Sequence, residues 1–290
     1  MKRVVSVSLG SSRRDHRAEV EFLGESFVVE RRGLDGRFKN AQNLLRELDG
    51  TVDAIGLGGV DIYLRCRDKR YVLRDGQRLL DCVTRTPVVD GSGLKDTLEA
   101  AVVRELARTY PLRGAKVLVV SALDRFGLAE ALVQEGAVCT FGDKIFALDL
   151  DQPIHDLDEL EIQAEKLLPE LCKLPISLLY PVGPSQTHIE PRELTSRYLH
   201  EADWICGDFH LIRRRLPEQL PGKVILTNTI TAEDIEELRS RGVATLITTT
   251  PEFGGRSFGT NVLEAMLVAA GKDSAELLRD LPWRPRILSL

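Results

Sequence analysis

The stretch that most constrains the fold is Gly114 to Asp143, GAKVLVVSALDRFGLAEALVQEGAVCTFGD, which reads as strand, turn, helix and second strand of one βαβ unit. Lys116 to Val120 is a short β-branched apolar run of the kind a parallel sheet buries on both faces, and it stops at the polar turn Ser121 to Arg125. A helix follows from Gly127: Phe126, Ala129, Leu132 and Val133 recur at three- and four-residue spacings, and Gly136 stands where a C-terminal cap belongs. Val138 to Phe141 is the next strand and ends in Gly142-Asp143. A carboxylate therefore lies about 20 residues beyond the turn, where a dinucleotide site needs an acceptor for ribose hydroxyls. Of the glycines in the G-x-G-x-x-G fingerprint only Gly127 is present, so a pyrophosphate would rest on the Ser121 hydroxyl, helix amides and the Arg125 guanidinium. The residues expected to hold a cofactor, NAD or NADP, are Ser121, Asp124, Arg125, Gly127, Asp143 and Lys144. NAD is slightly favoured, because Asp143 would accept ribose hydroxyls and repel the extra phosphate of NADP, which Lys144 would instead attract. A plain βαβ crossover without a cofactor satisfies the same pattern.

Similar alternation extends to both sides. Arg3 to Leu9 predicts a first strand, Ala18 to Leu23 and Phe27 to Arg31 a hairpin, Arg37 to Leu48 a helix, and Val52 to Leu57 a strand. A second hairpin, Ile62 to Leu73, precedes a strand at Pro87 to Val89 and the helix Leu94 to Arg108. Beyond the central unit, Asp149 to Glu170 reads as an acidic connecting helix, and prolines punctuate the region up to Arg192, which is expected to be a lid or an insertion. Strands at Trp204, Lys223 and Ala244 alternate with helices, and Thr231 to Asp234 has the form of a capping box. The fold expected is α/β, two lobes with mainly parallel sheets, the C-terminal lobe Rossmann-like. Residues 1–110 form an N-terminal lobe on the substrate side, 111–270 the nucleotide-binding lobe, and 271–290 a C-terminal helix and tail. Trp283 and Ile287 to Leu290 in that tail are expected to pack on the chain or to act as a homodimer arm.

Charge narrows the function classes. A net charge of −5 argues against a protein built to hold a phosphate backbone, so no nucleic-acid partner is expected. Cys66, Cys82, Cys139, Cys172 and Cys206 form no C-x-x-C pair, which predicts reduced thiols and a cytoplasmic protein. The apolar stretches are all interrupted by charge, so no membrane partner is expected. His16, His155, His188 and His200 show no ligand spacing and no metal is expected.

Ligands of open α/β sheets bind beyond the carboxyl ends of strands. Polar or glycine-rich turns fall there at Gly10 to Arg14, Gly56 to Asp61, Asp90 to Asp96, Ser121 to Gly127, Gly207 to His210, Thr227 to Thr229 and Thr248 to Thr260, and a crevice between two lobes would collect most of them. The catalytic candidates are Lys95 with Asp90, on a glycine-rich turn at a helix start, and His210 with Asp208, at another strand end. For a substrate carboxylate or phosphate the candidates are Ser11, Ser12, Arg13, Asn228, Arg256, Ser257 and Thr260, where hydroxyls, arginines and helix amides converge.

Over the stretches Val4 to Arg14, Thr86 to Lys95, Val117 to Gly127, Gly207 to Arg215 and Thr248 to Glu264, the chain resembles a bacterial group commonly labelled quinate 5-dehydrogenase. That resemblance implies NAD(P)-dependent oxidation of a cyclic polyol acid by a catalytic domain joined to a Rossmann-like domain. It also gives Ser6-Val7-Ser8 the serine spacing that such enzymes use for a substrate carboxylate, and gives Lys95 and a nearby aspartate the proton-transfer parts. The N-V-T-x-P-x-K and N-T-D-x-x-G stretches of well-understood quinate and shikimate dehydrogenases are absent. The function expected is an NAD(P)-dependent oxidoreductase acting on a small hydroxylated acid or polyol. Two alternatives use the same crevice: a transferase on a nucleotide- or phosphate-bearing molecule, and a non-enzymatic small-ligand sensor.

Overall fold

The computed structural model of the chain describes residues 1–180, 183, 188–250, 252–253, 256–273, 278 and 285–290, with the backbone alone at 252–253 and 256–257. In chain order, the first part holds β1 (Lys2–Ser8), a 3-10 turn (Ser12–Arg14), β2 (His16–Phe22), β3 (Glu25–Gly33), α1 (Phe38–Leu48), β4 (Ala54–Gly58), β5 (Tyr63–Cys66), β6 (Lys69–Val72), α2 (Arg74–Leu80), β7 (Val88–Val89) and α3 (Ser92–Leu106). There follow β8 (Lys116–Val119), α4 (Phe126–Gln134), β9 (Val138–Phe141), α5 (Asp143–Leu148), α6 (Leu157–Leu171), α7 (Ile176–Leu179), α8 (Glu193–Glu201), β10 (Trp204–Cys206) and α9 (Phe209–Arg214). The rest comprises β11 (Val224–Thr227), α10 (Ala232–Ser240), β12 (Thr245–Thr248), β13 (Glu252–Phe253), β14 (Arg256–Ser257), α11 (Thr260–Ala269) and β15 (Arg286–Ser289).

Two sheets carry the architecture. The first has the order β2-β3-β1-β4-β7 and is parallel except for the β2–β3 hairpin; the second has the order β15-β12-β11-β10-β8-β9 and is parallel except for β15. The protein is therefore α/β with mainly parallel sheets, and its second lobe is Rossmann-like. β8 lies between β9 and β10, so the connections from its two neighbours run to opposite sides and leave a crevice at its carboxyl end.

Strand alternation divides the core. Val117 and Val119 of β8, Cys206 of β10, Leu226 of β11 and Ile247 of β12 belong to one cluster, which continues through α3 and α4 to Val5, Val7, Ile55 and Leu57 of the first sheet. Their neighbours Leu118, Ile205, Ile225 and Leu246 face the opposite way, into a cluster with α5, α8, α9 and α10. A third cluster joins Val4, Phe27 and Ala54 to Leu94 and Leu98 of α3 and to Val262, Leu263 and Met266 of α11. Because the first cluster spans both sheets, the lobes are fused through a common core rather than hung on a linker.

Two expected boundaries change. α11, assigned by sequence to the second lobe, packs on β1, β4, β7 and α3 of the first sheet. The expected tail, 271–290, contains β15, whose Arg286 to Ser289 pair with Thr248 to Thr245 of β12 and close the edge of the second sheet. Both returns are long-range, and short apolar runs such as Ile287 to Leu290 carry no signal of which strand they will meet. The capping box at α10 is present, Thr231 and Asp234 satisfying each other's backbone. Asn261 and Glu264, which have similar spacing, do not cap α11: Asn261 Nδ2 donates to Ser6 Oγ at 2.9 Å and Glu264 accepts from Gly91 N at 2.7 Å.

Gly127 serves the helix contact. A Cβ built there would stand 2.5 Å from the Asp96 carbonyl oxygen, a backbone atom of α3, so α4 approaches α3 only because residue 127 has no side chain. Gly127→Ala should therefore cost about 1 to 3 kcal/mol of stability, the usual penalty for overpacking a tight contact, and denaturant titration of the variant against wild type measures it.

Candidate active site

Beyond the carboxyl ends of both sheets, between the lobes, lies a cavity of about 140 Å³. Its walls come from β1 (Ser6, Ser8), the β4 end (Gly58 to Asp61), Asp90 and Lys95, the β8 turn (Asp124, Arg125), the β10 turn (Asp208, His210), the β11 end (Asn228, Thr229) and the start of α11 (Gly259 to Val262). The crevice predicted from the polar strand-end turns is this cavity. Its size suits a small molecule, since a space of about 150 Å³ holds a benzene-sized guest.

Lys95 forms the floor. It lies on the first turn of α3 with only 8% of its side chain exposed, and its Nζ donates to Asp61 Oδ1 and to Asp124 Oδ1, each at 2.7 Å. Arg125, equally enclosed, pairs with Glu99, with Asp208 at 3.3 Å and with Asp124 at 3.4 Å. Burial works against every charge here, so the pairings decide which charges survive. Burial raises the Asp61 carboxyl well above the usual range, outweighing Lys95, and Asp124 adds to the rise. At Asp124 burial is overcome by Lys95 and Arg125, which hold it down to about 2. Lys95 is held as an ammonium despite its burial by Asp124 and Asp61. Lys95 thus stands as an ammonium between two carboxyl groups, Asp124 held low by its two cations and Asp61 raised by burial. Glu99, completely buried, is pushed up to about 7 by burial in spite of Arg125.

The opposite wall is basic. Arg31 Nη2 donates to Ser8 Oγ at 3.0 Å, Arg14 Nη1 lies 2.9 Å from His210 Nε2, and His16 packs against Phe258 with its ring centroid 6.1 Å away. Ser6 and Ser8 share a face of β1 because they are two residues apart, and that face is the one α11 covers. Gly58 lies close beside them, since a Cβ there would sit 3.0 Å from Ser8 Oγ. The cavity thus has one end with Arg14, Arg31, His16 and serine hydroxyls, and another with Lys95 among carboxyl groups.

The sequence candidates separate accordingly. Lys95, Asp90, Asp124, Arg125, Asp208, His210, Asn228 and Thr260 line the cavity. Asp90 is spent on internal contacts, accepting from Ser92 N at 3.0 Å, Ser92 Oγ at 2.9 Å and Ile62 N at 2.5 Å, and the partners of Lys95 are Asp61 and Asp124 instead. Asp208 and His210 form no catalytic dyad: the Asp208 carboxylate caps α9 by accepting from His210 N at 2.9 Å, while the imidazole turns to Arg14. Burial, followed by Arg14, lowers the His210 imidazole to about 4, so it is neutral at pH 7. Ser11 caps the 3-10 turn, Ser12 bonds Asp35, and Arg13 is exposed; none of the three lines the cavity, which Arg14 and His16 reach instead. The side chains of Arg256 and Ser257, together with Gly254 and Gly255, lie outside the described residues.

Sequence reasoning passed over Arg14, His16, Arg31, Asp61 and Asn261 as site residues, while Ser6 and Ser8 were marked only by the family resemblance. Asp61 closes one of the polar strand-end turns and Arg14 another, so both carried a positional signal. Arg31 and His16 sit in a hairpin whose alternation reads as ordinary surface, and only the parallel pairing of β3 with β1 brings Arg31 to Ser8.

The cofactor residues are spent on internal contacts. Asp143 accepts from Ala122 N and Leu123 N, both at 3.0 Å, and burial pushes its carboxyl up to about 6. Lys144 bonds Gln152 at 3.2 Å, and Ser121 faces a second, largely apolar cavity of about 80 Å³ lined by Phe146, Leu148 and leucines of α6. The residues at the β8 turn do not fit a dinucleotide pyrophosphate. Among the described residues no helix is long and apolar enough to cross a membrane, and no cluster of His, Cys, Asp or Glu is arranged to hold a metal ion.

Comparison with protein families gives two matches. One, described as Domain of unknown function (DUF8754), spans residues 93–290; the other, described as Domain of unknown function (DUF8753), spans residues 3–90. The chain belongs to the DUF8754 family. The two matches meet at the glycine turn before Lys95, so the cavity is built from both segments. No curated protein matches the chain. Among solved structures, GanP, a glucose-galactose binding protein from Geobacillus stearothermophilus, is 11% identical over 99% of this chain and 97% of its own, with a TM-score of 0.36. The NAD-dependent malic enzyme of Thermotoga maritima is 13% identical over 87% of this chain and 66% of its own, with a TM-score of 0.32. A dipicolinate synthase polypeptide of Bacillus halodurans is 14% identical over 83% of this chain and 87% of its own, with a TM-score of 0.29. Likeness of this extent carries no argument about function.

The state of His210 is open to test. With its folded value near 4 and an unfolded value of 6.5, the unfolded chain binds more protons between those limits, so stability from this site is complete above pH 6.5 and is lost as pH falls toward 4. The stability difference between wild type and His210→Gln should shrink by about 3 kcal/mol over that range, read from urea titrations at successive pH values.

Proposed function

We propose that the chain is an enzyme that binds a small hydroxylated acid or polyol between its lobes and moves a proton at one hydroxyl. The observation that carries this is Lys95, an ammonium held between Asp61 and Asp124 on the cavity floor, 2.7 Å from each. A substrate oxygen placed against Nζ is polarised by the ammonium, and the proton it releases or takes up is exchanged with the carboxyl pair, in which burial favours the protonated form of Asp61. Lys95 is thus the donor and orienting charge, and the carboxyl pair is the proton reservoir. The substrate's carboxylate belongs at the other end, with Ser6, Ser8 and Asn261 as neutral donors and Arg31 beside them. This is the arrangement that a quinate-like acid, with a carboxylate on one side of a ring and hydroxyls on the other, would use.

The dehydrogenase form of the proposal adds NAD or NADP as hydride acceptor. Its support is the parallel, Rossmann-like second lobe that supplies half of the cleft; the occupied β8 turn offers it none.

Purified protein incubated with a panel of cyclic and linear hydroxy acids, with and without NAD or NADP, and followed by proton NMR and nicotinamide absorbance, tests the proposal. Lys95→Met should reduce turnover by about 10²- to 10⁴-fold, the usual range for loss of a general acid or base. The same variant leaves buried Asp61 without its cation and Asp124 with Arg125 alone, so stability should also fall, by about 3 to 5 kcal/mol. Turnover is therefore to be measured at a temperature where circular dichroism shows the variant folded. Undiminished turnover in the folded variant would remove Lys95 from the chemistry. Binding of quinate should exceed that of its methyl ester by about tenfold or more, and Arg31→Gln should abolish the preference.

A further inference from the structure

Three devices at the β8–α4 turn were expected to serve a cofactor, and each has another use. Gly127 allows α4 to approach the Asp96 backbone of α3. Arg125 is enclosed by Glu99, Asp124 and Asp208, with 2% of its side chain exposed. Asp143, from the end of β9, reaches across to the turn and accepts from Ala122 N with one oxygen and from Leu123 N with the other, both at 3.0 Å. Two adjacent amides converging on one carboxylate is the geometry of an anion site in a turn that leads into a helix. Here the anion is part of the chain.

We infer that Asp143 is an intramolecular occupant of this turn, standing where a dinucleotide's pyrophosphate would rest, and that the wild-type protein does not hold NAD or NADP there. A pyrophosphate brought to the same amides would meet a carboxylate already bonded to both, so it would have to displace two hydrogen bonds and accept a like charge beside it. Removing Asp143 from the ribose role has a second consequence. The cavity beside it is lined mainly by apolar side chains, with Phe146, Leu148 and α6 leucines where sugar hydroxyls would need acceptors. This inference stands apart from the role given to Lys95, because it concerns the opposite side of the Asp124 and Tyr180 wall that the two cavities share.

The full chain, titrated by calorimetry at about pH 7.5 with NAD, NADP and ADP-ribose, decides it. No saturable binding is expected up to about 1 mM, a result that would also remove the dehydrogenase form of the proposed function while leaving the role of Lys95 intact. Saturable binding of any of the three below that concentration would overturn the inference. Asp143→Ser and Asp143→Gly release the Ala122 and Leu123 amides, and either variant, once shown to be folded by circular dichroism, should acquire measurable ADP-ribose binding. A folded variant as inert as wild type would show that something other than Asp143 closes the turn and would also overturn it. If neither variant folds, the wild-type titration alone gives the answer. Loss of hydroxy-acid turnover in Lys95→Met is independent of every one of these outcomes.

Discussion

The charge cluster around Lys95 and Arg125 is the constraint on which the rest of the structure depends. Two cations and the carboxyl groups of Asp61, Glu99, Asp124 and Asp208 are withdrawn from water within a few ångströms of one another. Isolated burial of such ions would cost several kcal/mol each, and only close pairing offsets it. The cluster draws on four segments: the β4 end, α3, the β8 turn and the β10 turn. Both lobes must therefore be in register before any of these charges is satisfied. The fused core extends from Val5 in the first sheet to Ile247 in the second, and it holds that register.

The proposed function follows from how the cluster meets the cavity. A buried lysine kept charged by Asp124 and Asp61 is suited to hold a substrate oxygen and exchange its proton, a task that needs a preorganised ion rather than a mobile one. The serines of β1 and Arg31 of β3 stand across the cavity because parallel pairing sets Ser6 against Arg31 and Ser8 against Gly33, and the alternation of β1 sends both hydroxyls to the face covered by α11. The cavity is thus lined both by arginines with serine hydroxyls and by a lysine among carboxyl groups.

In the second lobe the architecture and its usual chemistry part company. β8, its turn and α4 have the path of a dinucleotide-binding unit, yet the amides are bonded to Asp143 and the glycine is occupied by helix packing. A fold supplies positions; whether a ligand occupies them depends on side chains that can also satisfy those positions from within. Asp143 shows the difference plainly: from sequence it stands where a ribose acceptor stands, and in space it points to the turn itself.

The sequence alone determined the layer architecture, since β-branched runs alternating with amphipathic helices admit a parallel sheet covered on both faces and little else. It also pointed to where the cavity lies, because polar and glycine-rich residues cluster after each strand and strand ends in such sheets converge. Lys95, Asp124 and Asn228 were legible on that ground. Tertiary structure alone decided the pairing: that Lys95 answers to Asp61 and Asp124 instead of Asp90, that Arg31 meets Ser8, that α11 returns to the first sheet and β15 to the second, and that Asp143 turns inward. These choices are contacts between residues far apart in the chain, and periodicity reports only which face a residue occupies. A carboxylate or a guanidinium has the same local signature whether its partner is a substrate or another side chain, so its role was settled only when the fold placed something opposite it.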